Sequence, residues 1–95
     1  MRVEFSRRAA DQVAAIVAHV ADNDPAAADR IVRRVEAAAA RLADFPESGK
    51  RATTIRGLRW IVIPGLPYLL FYTIRPSGTV RIVRVLHAAR QRRRP

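Results

Sequence analysis

The chain has no cysteine, which excludes both a disulfide framework and a thiolate metal site. Histidine is scarce: His19 and His87 are the whole supply, so a zinc site would need carboxylates too, and no such cluster is present in the sequence. We expect no metal and no cofactor. Long hydrophobic runs are missing as well. The longest uncharged stretch is the fifteen residues from Trp60 to Ile74, broken by Pro64, Gly65 and Pro67, whereas a membrane helix needs about 18 unbroken apolar residues. At the N-terminus, Glu4 intervenes before the apolar core of a signal peptide could form. These absences predict a soluble, cytoplasmic protein with no membrane partner.

The most informative absence is that of negative charge beyond Glu47. All eight carboxylates fall within residues 1–47, where seven arginines bring the sum to −1. Residues 48–95 hold Lys50 and ten arginines with no acid, a sum of +11. A field of one sign on half of a small protein favours an anionic partner, either nucleic acid or an acidic protein. What remains is 95 residues at 49% hydrophobic content, enough for one domain with a thin core.

Val3 and Phe5 alternate with charges in Arg2 to Phe5, the pattern of a short strand. Ser6 reads as a helix N-cap, followed by an apolar stripe of Ala9, Ala10, Val13, Ile16, Val17 and Val20 on a helix ending near Ala21. Asn23-Asp24-Pro25 is a helix-to-helix turn, with Asp24 as cap and Pro25 in the first turn. The second helix carries Ala28, Ile31, Val35, Ala38, Leu42 and Phe45 in one seam and stops at Pro46. Its alanine run predicts close packing in an antiparallel hairpin. The stretch Glu47 to Gly57 reads as a loop, with an edge pairing near Thr53 to Ile55.

Three runs rich in β-branched and aromatic residues follow, Leu58–Ile63, Tyr68–Ile74 and Thr79–Leu86, separated by turn residues. They predict a three-strand meander whose middle strand, apolar on both faces, lies at the centre. The expected architecture is α+β, in the order β-α-α-β-β-β: the hairpin packs on a small antiparallel sheet that the first strand joins. Residues 1–89 form the domain and 90–95 a basic tail. The odd spacing of Arg81 and Arg84 places them on opposite faces of a regular strand.

This order of elements carries Phe45-Pro46-Glu47-Ser48-Gly49, Gly57-Leu58-Arg59, Pro67-Tyr68-Leu69-Leu70-Phe71-Tyr72 and Val80-Arg81-Ile82-Val83-Arg84-Val85-Leu86-His87 with Arg90. It resembles the RelE/ParE toxin superfamily of type II toxin–antitoxin systems over nearly the whole chain. The resemblance implies one of two activities: metal-free cleavage of ribosome-bound messenger RNA, as in the RelE branch, or poisoning of DNA gyrase, as in the ParE branch. RNA cleavage needs a base for the 2′-hydroxyl proton, an acid for the leaving oxygen and cations around the phosphate. With no carboxylate beyond Glu47, the proton-transfer roles fall to His87 or Lys50, with Arg59, Arg84 and Arg90 around the phosphate. The resemblance also implies an arginine after the first tyrosine of the central strand in the ribonuclease branch, and Leu69 stands there. The apolar strand and the Val85-Leu86-His87 ending resemble the ParE branch, a gyrase-binding inhibitor with no catalytic residue of its own.

On that reading Arg59, Arg81, Arg84, His87, Arg90, Arg92, Arg93 and Arg94 contact the target. An acidic ParD-like antitoxin, helix then strand, covers Val13, Val17, Ile31, Val35 and Leu42 and pairs with Arg59 and Arg84 in a hetero-oligomer. Taken without the resemblance, His87 is a structural histidine, Trp60 and Tyr68 are core residues rather than base-stacking platforms, and the arginines are solvated strand charges. A basic nucleic-acid-binding module is the third class the charge allows.

Overall fold

The computed structural model describes residues 1–89. Its elements are β1 (Val3–Phe5), α1 (Arg7–Ala21), α2 (Pro25–Asp44), β2 (Lys50–Arg51), β3 (Leu58–Val62), β4 (Tyr68–Ile74) and β5 (Val80–His87). The caps are those the sequence predicts. Ser6 Oγ accepts the Ala9 N–H at 3.0 Å and Asp24 Oδ1 accepts the Ala27 N–H at 3.1 Å, each satisfying an orphan donor of a first helical turn.

The sheet order is β1-β5-β4-β3-β2, with β4 at the centre as expected. The sheet is mixed rather than antiparallel, because β1 pairs with β5 in parallel, Val3 opposite Val80 and Phe5 opposite Ile82. An even number of chain reversals separates these two strands, so they run the same way; the β3–β4–β5 meander itself is antiparallel. The expected edge pairing also moves. It forms at Lys50–Arg51, not at Thr53 to Ile55, with Lys50 opposite Trp60 and Arg51 opposite Arg59. The reason is Gly49: its N–H donates to Tyr72 Oη at 2.9 Å, drawing the chain onto the sheet edge early.

Both helices cover one face of the sheet. Ala9 of α1 and Ile31, Val35, Ala38 and Leu42 of α2 close on Leu70, Tyr72, Val80, Ile82 and Val85 in a single core. Phe45 leaves the seam. As the C-cap of α2 it is 55% exposed, under the Arg41 guanidinium at 5.3 Å from the ring centroid. Among the described residues no helix is long and apolar enough to cross a membrane.

A β-bulge decides which strand residues reach which face. Tyr72 pairs with Ile82 and Phe71 with Arg84, so Val83 is an extra residue in β5. Arg81, opposite Thr73, and Arg84, opposite Phe71, therefore lie on the same face, contrary to the regular-strand expectation. The bulge is tied to the helix cap: Ser6 N–H donates to the Ile82 carbonyl at 2.8 Å and Ser6 Oγ to the Val83 carbonyl at 3.3 Å. Past the end of β1, Gln12 Oε1 accepts the Val85 N–H at 2.8 Å and so continues the pairing that strand can no longer supply.

Candidate partner-binding surfaces

Alternation and the bulge sort the candidate residues onto two faces. On the far face, turned away from the hairpin, register aligns Lys50, Trp60, Phe71 and Arg84 in one row across β2, β3, β4 and β5. Lys50 Nζ lies 5.4 Å from the Trp60 ring centroid. Trp60 is half-buried under that ammonium and is not among the core residues, a correction to its expected place. The next row holds Leu58, Thr73, Arg81 and Glu4, and Arg81 is ion-paired with Glu4.

Arg59 faces the hairpin instead, opposite Tyr72. Its side chain is 16% exposed, and Nη1 donates to the carbonyls of Glu47 (3.2 Å) and Gly49 (2.9 Å), with Nη2 3.8 Å from the Glu47 carboxylate. Tyr72 Oη donates to the Pro46 carbonyl at 2.7 Å, so Arg59 and Tyr72 together clamp residues 46–49 onto the sheet. His87 ends β5 with its ring edge-on to Tyr68, centroids 5.5 Å apart, and its Nδ1 accepts the Ala89 N–H at 3.1 Å. Tyr68 packs against the core as expected. Arg90, Arg92, Arg93 and Arg94 lie outside the described residues.

Three of the groups a ribonuclease would use, Lys50, Arg59 and Arg84, are dispersed. Arg59 is on the hairpin face, while Lys50 and Arg84 are on the far face at opposite ends of a four-strand row. Three strand spacings put those two roughly 14 Å apart at the backbone. Leu69, where the resemblance implies an arginine in the ribonuclease branch, is 8% exposed and opposite Val62 and Leu86.

The hairpin face opens at one side into a groove of about 360 Å³ between α2 and β3. Ala37, Ala38, Leu42, Ile61, Val62 and Pro64 form its apolar lining, with Arg34 and Arg41 beside them. Arg34 Nη1 donates to the Pro64 carbonyl at 3.2 Å, which anchors one end. Val62 of this lining is 54% exposed. Of the residues assigned to antitoxin contact, only Leu42 reaches the groove. Ile31 and Val35 are 8% and 5% exposed in the core, Val13 and Val17 pack against it, and Arg84 is on the other face. The sequence reasoning did not single out Arg34, Arg41, Ile61 and Val62. A signal was available: two arginines seven apart on one helix face with alanines between them.

A two-helix hairpin on a five-strand mixed sheet is also the fold of chains in two solved toxin–antitoxin structures. One is the chromosomal ParDE system from P. aeruginosa (TM-score 0.78, 19% identity, 92% of this chain and 95% of that one). The other is the E. coli RelBE complex (TM-score 0.58, 14% identity, 92% and 95%). In sequence, the chain is 40% identical over 90 residues to toxin RelE2 of Caulobacter vibrioides, covering 94% of this chain and 97% of that toxin. The family model for the ParE toxin of the type II toxin–antitoxin system parDE matches residues 3–92. The chain belongs to this ParE toxin family, within the RelE/ParE superfamily of type II toxins.

Proposed function

We propose that this toxin acts in the cytoplasm by binding DNA gyrase and blocking DNA replication, with no covalent step of its own. The dispersal of three candidate catalytic groups carries the reading: Arg59 is engaged with the 47–49 backbone on one face, and Lys50 and Arg84 stand far apart on the other. Acid–base catalysis at a phosphate needs donor, acceptor and cations within hydrogen-bond reach of one reacting group. Buried Leu69, at the place of the ribonuclease arginine, supports the same conclusion.

Neutralisation by an acidic ParD-like antitoxin completes the proposal. The groove between α2 and β3 suits its helical segment, with apolar side chains on Ala37, Ile61, Val62 and Pro64 and carboxylates toward Arg34 and Arg41. Arg59 and Arg84, to which the resemblance assigns antitoxin pairing, are respectively clamped and on the opposite face. Reversing both groove charges, Arg34→Glu with Arg41→Glu, is expected to weaken antitoxin binding at least tenfold in titration calorimetry, since like charges then face each other.

The activity itself is tested by expressing the toxin without antitoxin and following gyrase-linked DNA breaks and messenger integrity together. Accumulated breaks with intact messenger are expected. Messenger cut within codons under normal supercoiling would overturn the gyrase reading in favour of the ribosome.

A further inference from the structure

We propose that the turn joining β2 to β3 is a binding site for the phosphates of a nucleic-acid backbone. The turn closes through the Ala52 N–H to the Leu58 carbonyl at 2.8 Å and the Leu58 N–H to the Ile55 carbonyl at 3.3 Å. Gly57, at φ +81°, supplies the left-handed step that returns the chain to β3. Closing it brings Arg51, Thr53, Thr54 and Arg56 around an open depression of about 660 Å³, which Arg59 also borders with its guanidinium already bonded to the Glu47 and Gly49 carbonyls.

Arg51 and Arg56 are exposed and have no carboxylate partner among the described residues. The Arg51 and Arg56 guanidinium groups, gathered without counter-charge, repel one another, and an anion between them relieves that repulsion. The carboxylate beside the depression is that of Glu47, 3.8 Å from Arg59, and no acid follows it in the sequence. Two classes of anion could enter. A flat carboxylate is satisfied by a single guanidinium fork, whereas a phosphate offers tetrahedrally arranged acceptors to forks and hydroxyls approaching from several sides. A lining of threonines together with arginines matches the phosphate, and such contacts position a protein on a duplex without reading its sequence. This site goes beyond gyrase and antitoxin binding and stands independently of either.

The test uses the full chain and an end-labelled DNA duplex of about twenty base pairs, followed by fluorescence anisotropy across a salt series. The double variant R51A/R56A is expected to lower affinity about tenfold and to reduce the salt slope by about two, one unit for each phosphate that is no longer neutralised. R30A/R33A removes the same charge from exposed positions on α2 and should leave most of that affinity in place. Glu47→Gln should tighten binding by withdrawing the competing carboxylate. Equal losses in the two double variants would overturn the proposal, because net charge alone would then account for binding. Displacement of the DNA by poly-glutamate as readily, charge for charge, as by unlabelled duplex would also overturn it and assign the turn to an acidic protein.

Discussion

The two faces of the β-sheet are built from the same strands, yet they have different tasks. Leu70 and Tyr72 of β4, both fully buried, project into the core beneath the hairpin, while their neighbours Leu69 and Phe71 project from the far face beside Trp60 and Arg84. One face unites the fold through apolar burial. The other mixes apolar residues with cations in cross-strand rows, as in Lys50–Trp60–Phe71–Arg84. An apolar residue on a strand therefore does not by itself mark the core: the layer it faces does.

The comparison is broken most severely at adjacent leucines on β4. Leu70→Ala removes a side chain with 0% exposure from the joint core and should cost about 3–5 kcal/mol in denaturant unfolding. Leu69→Ala, at 8% exposure on the far face, should cost about 2 kcal/mol. Equal losses would show that both faces are packed as core.

A smaller effect is expected where the clamp brings the loop to the hairpin face. A Cβ on Gly49 would sit 2.5 Å from Tyr72 Oη and 2.7 Å from Cε1. Gly49→Ala is therefore expected to destabilise by about 1–3 kcal/mol. Tyr72→Phe removes the partner of the Gly49 N–H and the Pro46 carbonyl, at a cost of about 1–3 kcal/mol. In the double variant the losses should sum to less than the two single effects, because the hydroxyl clash is gone. Strict additivity in a double-mutant cycle would contradict the close approach.

Ser6 sharpens the comparison at its smallest scale, since it caps α1 and ties that helix to the bulge. Ser6→Ala should cost about 1 kcal/mol. If the bulge depends on that tie, backbone amide shifts in NMR spectra will also move at Val83 and Arg84, and not only in the first turn of α1.

Much of the fold was legible in local chemistry. Ser6, Asp24 and Pro25 declare two helix starts, the seam through Ile31, Val35 and Leu42 declares the buried face of α2, and the apolar run Tyr68–Ile74 declares the central strand. The candidate surfaces were less legible. The groove joins Arg34 and Arg41 to Ile61 and Val62 across about twenty residues or more of sequence, and no local pattern announces that meeting. The bulge did leave a trace: the apolar positions of β5 run 80, 82, 83, 85 and 86, a change of phase that strict alternation does not allow.

By itself, then, the sequence determined the order of elements, their caps and the +11 charge of the second half, because each rests on neighbours within a few residues or on composition. Only the tertiary structure decided that β1 runs parallel to β5, that Arg81 and Arg84 share a face, and that Arg59 is drawn under the loop as a clamp. Those outcomes depend on chain direction, register and one inserted residue. Such relations between distant segments exist only once the strands have paired.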